Sequence, residues 1–179
     1  MKTITYPIAL PQKRFKRFYL SLFFMIVRKG LQAAYRYDKE TQKELDSLDK
    51  DFAVGMTVLN SGPSFILKKS TSKGRKNLSY EGNFNRNPGY PCNLILQIKS
   101  IESAFQIFTF QESIAVGEAY SRFIVNGSLE EACTFIRVLE RLEILLLPKG
   151  IAKLAVKRYE SFKHKHSLRF KIYLRILFS

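Results

Sequence analysis

The hydrophobic positions of this chain change period several times along its length, and the changes mark its elements. Between residues 13 and 36, Phe15, Phe18, Tyr19, Leu22, Phe23, Ile26 and Val27 recur at helical spacing and predict a helix with one apolar face. Leu20, Phe24 and Met25 widen that face beyond an ordinary amphipathic stripe, so the helix is either buried on most sides or partly sunk in lipid. Asp38–Asp51 mixes both charge signs and reads as a short helix or a linker.

From Phe52 the texture turns to strand. Phe52–Leu59 alternates loosely, Asn60-Ser61-Gly62-Pro63 marks a turn, and Phe65–Lys68 follows as a second strand. Ser70–Asn77 reads as a polar, basic loop before a third strand at Leu78–Phe84 and a turn-rich stretch at Asn85–Pro91. Cys92–Ile98 is a short apolar run with the length of a buried strand. Ser100 caps a helix running to about Phe110, with Glu102 near the positive end of its dipole. Ile114–Tyr120 reads as a second short helix, Arg122–Val125 as a strand, and Asn126-Gly127 as a turn.

Ser128 and Glu131 then form a capping box, in which each side chain serves the other's backbone N–H. The helix it opens carries Leu129, Ala132, Ile136 and Leu139 at helical spacing, with Cys133, Phe135 and Leu142 beside them. Pro148 and Gly150 end it, and a basic helix over Ile151–Phe162 is expected next. In Leu168–Phe178, Arg169, Lys171 and Arg175 alternate with Leu168, Phe170, Ile172, Leu174 and Ile176, which is the strand period. The same residues suit an interfacial helix, and the sequence leaves both readings open. No internal repeat is visible at any domain-scale period.

Charge divides the chain differently. Residues 1–37 hold eight Lys/Arg and no acid, and residues 148–179 hold nine against Glu160 alone, so the two ends carry +16 and the middle −1. The expected organisation is therefore a basic amphipathic helix at 1–37, a near-neutral domain at 38–147 and a basic extension at 148–179. A polyanionic partner would meet the ends. The supply of 15 Phe and 9 Tyr is ample for a core and leaves aromatics to line a cavity, which excludes disorder as the main state. Cys92 and Cys133 show neither framework nor metal spacing and read as free buried thiols in a reducing compartment.

Phe18–Val27 is too short to span a bilayer, which takes ~20 apolar residues. Its basic approach resembles a signal peptide, but Arg28-Lys29 stands where a small-residue cleavage site belongs, so retention in the cytoplasm is expected.

Reactive groups that could converge are scarce. His164 and His166 sit among lysines and read as solvated; no Cys neighbours them to suggest zinc. Gly-rich phosphate loops are absent, and Ser61-Gly62-Pro63-Ser64 lacks the nucleophile-elbow pattern. Glu130, Glu131, Glu140 and Glu143 sit at spacings of a solvent face paired with Arg137 and Arg141. The reading is of a protein without a catalytic centre, needing neither metal nor cofactor.

Residues 92–142 carry a resemblance. Leu94–Lys99, Ile101–Phe110, Ser113–Tyr120 and the run Phe123-Ile124-Val125-Asn126-Gly127-Ser128-Leu129-Glu130-Glu131-Ala132 resemble the C-terminal half of the sterol carrier protein 2 (SCP2) family of lipid-binding domains. The strands between Phe52 and Phe84 fit that family's sheet in number and order. Gln111 departs from the usual small turn residue, and the basic ends have no counterpart in a minimal carrier domain. The resemblance implies an α+β fold: a five-stranded, mainly antiparallel sheet covered by helices, with an apolar tunnel between them. It implies Phe105, Phe108, Phe110, Ile114, Tyr120, Phe123, Phe135 and Leu139 as candidates to line that tunnel. It also implies an apolar lipid or isoprenoid-like ligand and, as a partner, a lipid-metabolising enzyme.

The function expected from these readings is carriage of an apolar ligand, with the basic ends docking peripherally on anionic membrane. The alternative is a nucleic-acid-binding protein, for which the pI near 9.9 and the aromatics speak. Against it, the basic residues of both ends are interleaved with large aliphatics.

Overall fold

The computed structural model describes residues 14–59, 62–72, 74–109, 122–147 and 165–178. The expected helices at Ile114–Tyr120 and Ile151–Phe162, and the turn residues Asn60 and Ser61, lie outside the described residues.

Helix α1 spans Arg14–Tyr37. Its buried row is Leu20, Phe24, Val27, Leu31 and Ala34, spaced by three or four so that one stripe enters the core. Asp38 ends the run. Its carboxylate accepts from the backbone N–H (3.1 Å) and hydroxyl (2.8 Å) of Thr41, capping α2, Lys39–Asp46. Strands β1 (Ala53–Val58), β2 (Ser64–Ser72), β3 (Arg75–Gly82) and β4 (Leu94–Ile98) follow. Then come α3 (Ile101–Phe108), β5 (Phe123–Asn126), α4 (Leu129–Leu146) and α5 (Lys165–Phe178). Both N-caps read from the sequence are in place: Ser100 accepts from Ser103 N–H, and Ser128 with Glu131 forms the full capping box.

The fold is α+β, with a five-stranded sheet in the order β3-β2-β1-β4-β5. Every neighbouring pair is antiparallel except β1 with β4, which run parallel. Period-two alternation places Val54, Met56 and Val58 beside Leu94, Leu96 and Ile98 on one face, against which the helices pack. Register carries one apolar row straight across four strands, Phe65–Met56–Leu96–Val125. On the opposite face Gly55 is required by close approach. A Cβ there would come 2.3 Å from the Phe84 ring, which lies against the strand.

The core crosses the boundaries that charge suggested: Leu20 from the basic N-terminal stretch and Ile172 from the basic C-terminal one join the same cluster as the sheet. Only part of each helix's apolar surface turns in: Phe15 and Phe18 of α1 and Leu177 and Phe178 of α5 stay exposed.

Several expectations change. Ser70–Asn77 is a hairpin and not a loop: β2 and β3 stay paired from Ser70↔Asn77 to Ser72↔Arg75, with Gly74 turning at φ +69°. Of the two, β3 is the edge strand of the sheet. Of the two readings for Leu168–Phe178, the structure takes the helix. Leu129, expected on the packed face of α4, is 76% exposed in its first turn. The cysteines are free, but Cys133 is exposed and Cys92 half-buried, since neither faces the core. The arginines of α4 pair outward from their helix: Arg137 meets Glu44 of α2 at 2.9 Å, and Arg141 meets Asp38.

Candidate functional site: an apolar cavity between sheet and helices

A cavity of about 430 Å³ lies between the sheet and the helices. That volume falls in the range of ~300–1,000 Å³ usual for small-molecule sites. Its sheet wall is the registered row Met56, Leu96 and Val125, with Phe123 beside it. Helix α4 contributes Ile136, Leu139, Glu143 and Leu146, spaced by three and four so that a single face lines the space. Helix α1 adds Phe23, Ile26 and Val27, and α5 adds Tyr173, Ile176 and Leu177.

Aromatic packing holds α1 against α3 at the cavity. The Phe23 and Phe108 rings stand 4.6 Å apart, Phe24 meets Phe108 edge-on at 5.6 Å, and the Tyr19 hydroxyl donates to the Phe108 carbonyl at 2.9 Å. The end of α4 is tied to α5 by Arg169, which donates to the Ile144 carbonyl at 2.8 Å and to that of Leu147, and by Tyr173, which donates to Leu146. Lys29 of α1 reaches the Ile176 carbonyl at 3.1 Å. Lys29 Nζ, Arg169 Nη2 and the Tyr173 hydroxyl are thus engaged with backbone oxygens, whereas Arg169 Nε is buried without a partner among the described residues.

One lining group is different. The Glu143 carboxyl has no hydrogen-bond partner at Oε2, an oxygen shielded from solvent. Burial, with a lesser push from Glu140, raises it from its ordinary 4.5 to about 8, so it is mostly uncharged at neutral pH. The solvent-face position read for Glu143 from the sequence is therefore corrected. It stands seven residues after Ile136 and four after Leu139, on the cavity-facing side of α4.

The residues expected to line a tunnel are distributed as follows. Phe108, Phe123 and Leu139 line the cavity. Phe135 is fully buried in the core. Phe105 packs edge-on against Tyr19 at 5.3 Å, with Lys16 Nζ 5.2 Å from its ring centre. Phe110, Ile114 and Tyr120 lie outside the described residues. Sequence reasoning missed the walls given by α1 and α5. The available signal was the apolar face of α1, wider than one core contact requires.

Among the described residues no cluster of three or more His, Cys, Asp or Glu is placed to hold a metal, and no helix is long and apolar enough to cross a membrane. His164 lies outside the described residues.

No protein-family model matches this sequence, and no curated protein matches it. Solved structures similar to it in shape include sterol carrier protein 2 from Yarrowia lipolytica in its apo form (TM-score 0.44, 15% identity, 70% of this chain and 93% of that one). The sterol carrier protein domain 2 of Helicoverpa armigera is similar at TM-score 0.41 and 16% identity, over 86% of this chain and 98% of that one. A ubiquinone synthesis protein, UbiJ-SCP2, is similar at TM-score 0.42 and 10% identity, over 72% and 98%. These are likenesses of shape to SCP2 domains.

Proposed function

We propose that this protein is a non-catalytic lipid-binding protein that holds an apolar molecule in the cavity between sheet and helices. The observation that carries the proposal is the cavity's lining, in which aliphatic and aromatic side chains from seven elements surround one uncharged carboxyl and one engaged phenol. Apolar ligand surface gains ~25 cal/mol per Å² removed from water in such a space. Among the described lining residues no nucleophile stands beside a base, which favours binding over bond-making chemistry.

The proposal includes a membrane dock on α1. Phe15, Phe18, Leu22 and Met25 are 71%, 70%, 44% and 40% exposed and recur at helical spacing, forming an apolar stripe separate from the buried row and the cavity face. Arg14, Arg17 and Arg28 follow the same helical spacing along one flank of that stripe. Apolar insertion beside cationic side chains is the arrangement of an interfacial helix on anionic lipid.

Titration with the apolar dye Nile red tests the cavity. Saturable fluorescence enhancement is expected, together with its loss in Val125→Trp, where a large aromatic on a half-exposed strand position enters the lining. Undiminished binding by the folded variant would contradict it.

A further inference from the structure

Glu143 is costly where it stands, and no described residue compensates its Oε2. An uncompensated polar oxygen in an apolar site loses its water contacts without regaining a hydrogen bond. A leucine at the same place would complete the wall formed by Leu139, Leu142 and Leu146. Among the described residues none pairs with Glu143 Oε2. Lys29 Nζ, Arg169 Nη2 and the Tyr173 hydroxyl are bound to backbone carbonyls, Arg169 Nε is buried without a partner of its own, the sheet side of the lining is apolar, and Glu140, on the same helix, adds repulsion. A ligand can bring the pairing group.

We infer that Glu143 binds the polar end of the cavity's occupant, and that this occupant is an apolar molecule carrying a single uncharged hydroxyl group. The inference rests on the cavity reading above and narrows it. An uncharged carboxyl donates through its O–H and accepts at its other oxygen, and a hydroxyl both accepts and donates, so the two satisfy each other. A carboxylate head group would bring negative charge beside Glu140 and the Glu143 carboxyl, and the described lining residues include no cation. An ammonium head group would have to leave water together with an ionised Glu143, and buried pairs of that kind seldom recover their desolvation. A bare hydrocarbon would leave Oε2 unpaired. Head-group chemistry is thus selected by one residue, while the remaining walls accept any body of suitable size.

The test is displacement of Nile red from the full chain by decanol, decane, decanoate and decylamine, in the wild type, Glu143→Gln and Glu143→Leu. In the wild type at neutral pH decanol should bind on the order of five- to tenfold more tightly than decane, the worth of a net hydrogen bond, and more tightly than decanoate or decylamine. Glu143→Gln keeps a donor and an acceptor and should keep the decanol preference. Glu143→Leu should lose it while still binding decane, and thermal melting should show that variant folded. Equal decanol preference in the wild type and Glu143→Leu, or tightest wild-type binding by decanoate or decylamine, would overturn the inference and leave the cavity reading standing. Failure of Nile red and of all four compounds to bind would overturn both.

Discussion

Arg141 grips Asp38 through two nitrogens, Nε to Oδ2 at 3.1 Å and Nη2 to Oδ1 at 3.2 Å, joining α4 to the start of α2 across 103 residues of chain. Asp38 is 3% exposed and also caps α2. One carboxylate therefore fixes the turn between α1 and α2 and the position of the helix that lines the cavity. Removing a single partner of such a pair strands the other charge, at a cost of roughly 3–5 kcal/mol. Arg141→Leu should show that loss in denaturant unfolding. Adding Asp38→Asn, which keeps a capping oxygen but removes the stranded charge, should restore much of it. A double variant as unstable as the single one would show that the pair's geometry, and not the stranded charge, sets the cost.

Glu143 makes stability depend on pH with a definite sign. In the unfolded chain its proton leaves near 4.5, and in the folded protein near 8. Between those values the folded state holds the extra proton, so stability falls as pH rises, by up to ~1.4 kcal/mol per unit, and levels off above the upper value. Below the lower value both states are protonated and the effect is absent. Glu143→Gln should be more stable than the wild type at about pH 8 and nearly equal to it at about pH 4. Denaturation midpoints at the two pH values check this, and a constant difference between the proteins would refute it.

The exposed stripe of α1 separates membrane contact from folding. Phe15 and Phe18 are exposed, whereas Phe24, on another face of the same helix, is buried. Phe15→Ser with Phe18→Ser should leave the melting temperature unchanged and remove the salt-resistant part of binding to anionic vesicles. The charge-driven part is screened over ~8 Å at physiological salt and ~3 Å at 1 M, so it should weaken with salt in both proteins. Phe24→Ser should instead destabilise the fold by cavity formation, by roughly 3–5 kcal/mol. Vesicle binding by the double variant equal to wild type at high salt would exclude the stripe as the dock.

The pattern of residues made the strands and caps legible because both are local: Ser100, Ser128 and Glu131 act within one helical turn. The terminal helix shows where local pattern ends. Leu168, Ile172 and Ile176 are even-numbered, so they satisfy the two-residue period of a strand and the four-residue row of a helix alike. Contact with the core selects the second, placing Ile172 inside and Leu168 and Ile176 against it. The cavity was half legible for the same reason. Phe108, Phe123 and Leu139 belong to elements whose own pattern points inward, but the walls from Phe23, Ile26, Tyr173 and Ile176 depend on α1 and α5 coming together over the sheet. Glu143 was hidden by its type: a glutamate among arginines reads as solvated, although its spacing from Ile136 and Leu139 already put it on their side.

Whether the cavity holds an apolar molecule is read from mass spectrometry of an organic extract of the purified protein. One apolar species should be recovered in near-equimolar amount from the wild type and be largely absent from Val125→Trp purified in the same way. A wild-type extract free of such a species, or an equal yield from the folded Val125→Trp protein, would contradict it.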